Sequence, residues 1–209
     1  MEESFKWAKR AAEQGNQVGQ WILAGHYYMG QIVPQDIGEA IKWLRKAADQ
    51  GNTEAEKFFA YACLSYAKSS EEDKKRAFEW GKKISEQGDL HGLYIQALCY
   101  TQGFGVKADL DRGLELFKKA ARQGDPSSQF IMSALYSAGE GVEKDEAKAL
   151  EWAKKAAEQG DVRAQLKVAA CYENGTGISK NREQAIHWYK IAAHQGSEEA
   201  RNILKQWGQ

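Results

Sequence analysis

The 209-residue sequence has two prolines, three cysteines, four histidines and no surplus of charge of either sign. Each scarcity narrows what the chain can be. With 29 basic residues against 29 acidic ones, the molecule as a whole presents no field that would draw in a phosphate backbone or an anionic headgroup, so no nucleic-acid partner is expected. No apolar run approaches the roughly 20 residues that cross a bilayer. The opening MEESFKWAKRAAEQG also lacks an apolar secretion segment, so no membrane insertion is expected. An odd number of cysteines favours a reducing compartment and hence a cytoplasmic location, with the periplasm or secretion open to a chain whose leader has been removed. The histidines are scattered. His187 and His194 lie seven apart with no third ligand in view, so neither a metal nor another cofactor is expected. Few prolines among abundant Ala, Glu, Lys and Gln make a helix-forming composition, and a hydrophobic share of 43% is enough for a substantial core.

What is plentiful is glycine, and its positions are periodic. A Gln-Gly step recurs at Gly15, Gly51, Gly88, Gly124, Gly160 and Gly196, at spacings of 36, 37, 36, 36 and 36 residues. Eight residues before these glycines stand Trp7, Trp43, Trp80, Leu116, Trp152 and Trp188. An Ala-Ala pair lies between at 11–12, 47–48, 120–121, 156–157 and 192–193, broken only by Ile84 and Ser85. A tyrosine follows the glycine by twelve residues at Tyr27, Tyr100, Tyr136 and Tyr172, with Cys63 in its place once. A period near 36 with two turn signals describes a supersecondary unit that cannot bury its own apolar face and must stack on its neighbours.

Each unit reads as two helices. In the fourth, Pro126 suits a first helical turn, the chain runs apolar from Phe130 to Tyr136, and Gly139-Glu140-Gly141-Val142 stops it. A second helix is expected from about Asp145, with Leu150, Trp152, Ala153, Ala156 and Ala157 along one face and Gly160 as terminator. The tryptophans and alanine pairs read together as core, a large ring on one helix packed over small residues that let the next helix approach. The second unit departs from the rule. It has one residue more and Ser65-Tyr66-Ala67-Lys68-Ser69-Ser70-Glu71-Glu72-Asp73 in place of the glycine turn. Ser69 with Glu72 has capping-box spacing and is expected to start the next helix.

These residues resemble the Sel-one-like repeat (SLR) family, relatives of the tetratricopeptide repeats. The fifth unit copies its pattern well through Ala164, Ala169, Tyr172, Gly175, Gly177, Ile178, Ala185, Trp188, Tyr189, Ala192, Ala193 and Gly196. The resemblance covers nearly the whole chain. It implies an all-α fold, an α/α solenoid of right-handed superhelical form with first helices on the concave face and second helices on the convex one. On that reading the chain is a single solenoid: a half-repeat 1–15, repeats 16–51, 52–88, 89–124, 125–160 and 161–196, and a C-terminal capping helix 197–209. Because it opens inside a second helix, the sequence is expected to be an excised piece or to lack a leader, the alternative being that the lone helix is a deliberate cap.

Residues in catalytic patterns are sparse. Ser65-x-x-Lys68 matches the Ser-x-x-Lys of penicillin-binding enzymes, but its companion elements are absent. The Gly-x-Gly turns follow helices, not the strands that phosphate-cradling loops need. Cys63, Cys99 and Cys171 sit at or beside the tyrosine place, where a small buried residue is expected. Some secreted members of the family staple each repeat with a disulfide, whereas here no repeat has two cysteines.

A surface remains. Carried over from tetratricopeptide repeats, the groove-facing places lie 3, 6, 10, 13 and 14 residues after the repeat glycine, and they select Trp21, Tyr28, Tyr61, Tyr94, Leu98 and Phe130, with Arg163 and Glu173 on the rim. Large rigid anchors edged by polar groups have the makeup of a recognition surface, the alternative being that several rings fill the seam between first helices. The resemblance implies a non-catalytic scaffold or adaptor for a protein or peptide partner. The alternatives it leaves are an immunity protein that neutralises a secreted bacterial effector and, more remotely, a β-lactam or peptidoglycan hydrolase.

Overall fold

A computed structural model of the chain describes residues 2–209, with side chains from residue 3 onward. Among the described residues there are twelve α-helices and no strand. A second-type helix, α1 (Glu2–Glu13), comes first. Five pairs follow: α2 (Gln17–Met29) and α3 (Ile37–Ala48), α4 (Thr53–Ser65) and α5 (Glu71–Glu86), α6 (Leu90–Gln102) and α7 (Leu110–Arg122), α8 (Pro126–Ala138) and α9 (Glu146–Glu158), α10 (Val162–Asn174) and α11 (Arg182–His194). A lone first-type helix, α12 (Glu198–Gln206), closes the chain. The fold is an all-α solenoid of helical repeats, and by its internal contacts the chain forms two compact units, residues 1–113 and 114–209.

Polar caps and glycines bound the helices. Asp145 accepts the Lys148 N–H at 2.9 Å and starts α9, while Pro126 occupies the first turn of α8 behind an Asp125 cap. Gly139 ends α8 at φ 76°, where its N–H returns to the Leu135 carbonyl. The second glycine of each Gly-x-Gly answers a different demand. At Gly177 a Cβ would lie 2.3 Å from the Glu146 carbonyl, so the absence of a side chain is what lets the turn press on the preceding second helix. In the second repeat the cap falls one residue later than the sequence suggested. Ser70, not Ser69, receives the Asp73 N–H at 3.1 Å, and its own hydroxyl donates to Asp73 at 2.7 Å. Asp73 also pairs with Arg45 of α3, which fixes the start of α5 from a second direction.

Small residues line the helix contacts. Eleven residues before the repeat glycine, Ala40, Ala77, Ala149 and Ala185 are 0–1% exposed, and four before it Ala47, Ala120, Ala156 and Ala192 are fully buried. The tryptophans flank the core instead of filling it as the sequence reading had it: Trp43, Trp80 and Trp188 pack against its buried clusters, and the Trp80 ring meets that of the fully buried Phe59 edge to face at 4.6 Å. Trp43, Trp80, Trp152 and Trp188 are half-buried and Trp7 is 65% exposed. Lysines cover two of the rings: Lys46 Nζ is 4.2 Å from the Trp43 centroid and Lys155 Nζ 4.4 Å from that of Trp152.

A buried glutamine ties three helices together. Gln129 of α8 donates to the Ala121 carbonyl of α7 at 3.1 Å and accepts from Gln159, beyond the end of α9, at 2.8 Å. Gln20 does the same, donating to Ala12 at 3.4 Å and accepting from Gln50 at 2.7 Å. The glutamine of the Gln-Gly step is therefore one arm of a clip. Gln165 donates to Ala157 at 3.2 Å, but its Oε1 is buried without a hydrogen-bond partner. In the second repeat the same place holds Glu56, 1% exposed and paired with Lys83.

The three cysteines are buried and unbridged. Burial pushes the Cys63 and Cys99 thiols up to about 12 and raises that of Cys171. At pH 8 none is expected to react with a disulfide reagent in the native protein, whereas all three should react in guanidinium. The retained protons stabilise the native state fully below about pH 8.5, the value for an unfolded thiol, and progressively less above it. Gln129→Leu leaves the Ala121 carbonyl and the Gln159 amide short of a partner and should cost about 1–3 kcal/mol in denaturant unfolding. Gln165→Leu, which removes an oxygen already unsatisfied, should cost less, and equal costs would contradict the clip.

Candidate functional site

The enzyme-like motif does not assemble a nucleophile. The Ser65 hydroxyl donates to the Ala62 carbonyl at 3.1 Å, a bond of the helix end, and Lys68 is exposed. His187 and His194 are exposed as well, and among the described residues no group of three or more His, Cys, Asp or Glu side chains is placed to hold a metal. No helix among them is long and apolar enough to cross a membrane.

In the first unit the aromatic residues form two groups. Helical spacing puts Trp21, Ile22, Gly25, Tyr28 and Met29 on one face of α2. With Phe58 of α4 and Leu44 of α3 they border an apolar groove of about 310 Å³. Tyr28 and Phe58 meet edge to face with centroids 6.3 Å apart. An added Cβ at Gly25 would meet nothing within 4 Å, so the glycine leaves the groove open there. Met29 is 61% exposed, Phe58 39% and Ile22 37%. No carboxylate or ammonium is among the lining residues.

The second group lies between α4 and α6. Tyr61 and Tyr94 stack at 5.8 Å and 26°, and the His91 ring lies 6.2 Å and 6.5 Å from them. Tyr61 is half-buried and Tyr94 only 5% exposed, while Leu98, one turn on from Tyr94, is half-buried. Lys57 is tied to Asp89 at 2.6 Å and to Glu54 at 3.4 Å. The hydrogen bond to Asp89 raises the Lys57 pKa; burial raises that of Asp89, but the bonds from Lys57 and the His91 N–H outweigh it and leave it lowered.

The second unit is more polar on its first helices. The Arg163 guanidinium stands 4.6 Å from the Phe130 centroid and forks onto Asp161 at 3.2 and 2.6 Å. Glu173 accepts the Tyr189 hydroxyl at 2.8 Å, and Tyr189 is 3% exposed. Burial first, then Glu173, push that phenol far above its usual range. Glu173 thus ties α10 to α11. Lys167 donates to the Ser133 carbonyl at 3.1 Å and the Ser137 hydroxyl at 2.9 Å, and burial lowers its pKa.

Sequence reasoning named Trp21 and Tyr28 for the groove but not Phe58 or Ile22. Both stand seven residues after the repeat glycine, a place that the borrowed spacing does not include.

Comparison with known proteins follows the same geometry. The Sel1 repeat family pattern matches residues 1–16, 17–52, 59–89, 92–125, 126–161 and 162–197. A Sel1 repeat protein from Oxalobacter formigenes is similar at 29% identity with a TM-score of 0.66, over 99% of this chain and 60% of its own. A protective antigen with an SLR fold from uropathogenic Escherichia coli is similar at 32% identity and a TM-score of 0.60, over 96% of this chain and 44% of its own. An immunity protein from Pseudomonas aeruginosa shares the fold at 17% identity and a TM-score of 0.61, over 91% of this chain and 72% of its own. The chain thus spans less than two thirds of the first two relatives. No curated protein matches it. Six matched repeats, covering most of the sequence, place the chain in the Sel1 repeat family.

Proposed function

We propose that this chain is a non-catalytic protein-binding scaffold, and that the first-helix face of its first unit captures an apolar anchor of a protein or peptide partner. The observation that carries this reading is the groove of about 310 Å³ between α2 and α4, open to solvent and bordered by the partly exposed Phe58, Met29 and Ile22. Monomeric proteins seldom leave such residues side by side without use. Trp21 and Tyr28 supply rigid walls that lose little freedom when a ligand enters. Tyr61, Tyr94 and Leu98 extend the face along α4 and α6 as a firmer, more buried floor. In the second unit, taken by itself, Phe130, Arg163 and Glu173 would give the first helices a more polar face.

Binding would exchange water on these rings for apolar side chains of the partner, with register set by the groups at the edges. No bond of the partner is made or broken. The P. aeruginosa immunity protein shares the fold alone. Neutralisation of a secreted effector would call on the same face, with a folded protein in place of a peptide.

Selection from a displayed peptide library tests the reading. Peptides enriched on the wild-type chain should share a large apolar anchor, and Met29→Asp with Phe58→Asp should weaken them by about 30-fold, the loss of one anchor of about 2 kcal/mol. The thermal midpoint should fall by no more than the loss of the Tyr28–Phe58 ring contact accounts for, because Met29 is mostly exposed and Phe58 partly so, and the double variant should stay folded at the binding temperature. Equal binding to the double variant, or enrichment without an apolar anchor, would contradict it.

A further inference from the structure

Most glycines inside the described helices are held there by packing. An added Cβ would lie 2.2–2.6 Å from a neighbouring atom at Gly19, Gly81, Gly92 and Gly113, and 3.3 Å from the Asp36 carboxylate at Gly38. Gly25 is the exception. It stands in the interior of α2, where glycine costs helix stability, its φ is not positive, and an added Cβ would meet nothing within 4 Å. The fold does not ask for this glycine. What it leaves is the space of the groove beside it.

The neighbouring repeats show what belongs at this place. Ten residues after the repeat glycine, α4 has Tyr61 and α6 has Leu98, both half-buried. Tyr61 lies against Tyr94 of the following first helix with centroids 5.8 Å apart, and thirteen after the glycine Tyr28 meets Phe58 of α4. Both places face forward along the unit, so the space at Gly25 lies toward α4. Trp21 is one turn before Gly25, and Tyr28 and Met29 are one turn after it on the same face. The groove among them, about 310 Å³, is many times the ~10–15 Å³ that one water needs. On α4 the counterpart of Tyr94 is Lys57, whose ammonium is drawn to Asp89 at 2.6 Å, and Phe58 borders the groove in its stead.

Resting on the reading of this groove as the binding face, we infer that the partner supplies the ring that α2 lacks: an aromatic side chain inserted at the place of residue 25. Trp21, Tyr28 and Phe58 form its walls, and ring pairs gain more from edge-to-face contact than their buried area alone provides. The Met29 thioether is a further favourable neighbour for a ring. Gly25 is the residue that sets specificity here, because a side chain grown from it competes with the anchor for the same space.

Variants at residue 25 and a peptide selection test this. Gly25→Ala should raise the thermal midpoint by about 1–4 °C, since the helix gains and no neighbour is displaced. A midpoint that falls would mean that packing needs the glycine, and it overturns the inference. Peptides selected from a displayed library on the wild-type chain should share Phe, Tyr or Trp. Gly25→Tyr should weaken them by at least about ten-fold without lowering the midpoint, and if tyrosine unfolds the chain, Gly25→Leu gives the same readout. Aliphatic anchors that are lost on Met29→Asp with Phe58→Asp overturn this inference and leave the groove reading standing. Aromatic anchors held equally by the wild type and the residue-25 variants overturn it as well. Peptides indifferent to every one of these substitutions sink the groove reading, and this inference with it.

Discussion

The structure depends on how closely helices approach across the alanine seam. Backbones come this near only where both sides carry little or nothing beyond Cα. At Gly92 a Cβ would lie 2.2 Å from the Ser85 nitrogen, and at Gly19 it would lie 2.6 Å from the Ala11 Cβ. Dispersion gains across such a contact are small one by one and large in sum, and they vanish quickly if a larger side chain holds the helices apart. The Gln20 and Gln129 clips work inside this geometry, since their amides reach the carbonyls only because the helices are close. In these clips buried polar groups join one helix to the next.

The same constraint sets the surface. With the seams taken by small residues, many of the rings stand at the edges: Trp43 and Trp152 under lysine stems on second helices, and Trp21, Tyr28, Phe58 and Tyr61 on the first. The two units then differ by what fills one repeated place. Seven residues after the glycine stand Ile22, Phe58 and Ile95 in the first unit and Ile131, Lys167 and Ile203 in the second; Ile22 and Phe58 border a groove without charge, and Lys167 is the one place where a hydrogen-bonded ammonium replaces the apolar side chain. A single fold carries an apolar face and a polar one because the scaffold does not depend on those side chains.

Much of this was legible in the sequence where the demand is a backbone demand. Gly139 and Gly160, the Asp145 cap and Pro126 are where the letters place them, because left-handed turns and unpaired N–H groups admit few residue types. The Ser70 cap was missed by one residue because Ser69 with Glu72 and Ser70 with Asp73 have the same spacing, and the choice falls to Arg45, 28 residues away. The Gln-Gly step was visible as a beat but not as a bond, since Gln20 and Gln50 are 30 residues apart. The tryptophans are less buried than their regular spacing suggests, since Trp43, Trp80 and Trp188 pack on the core from its edge. Trp21 and Tyr28 were found for the groove, while Phe58 was hidden by a spacing borrowed from relatives.

The central claim is that the first-helix face of residues 2–113 is the one a partner occupies. Amide hydrogen exchange, followed with and without a peptide selected on the chain, tests it most directly. The account predicts added protection in α2 and α4, around residues 21–29 and 58, with the outward faces of α3 and α5 unchanged. Protection confined to the second helices, or spread evenly over the chain, would contradict it.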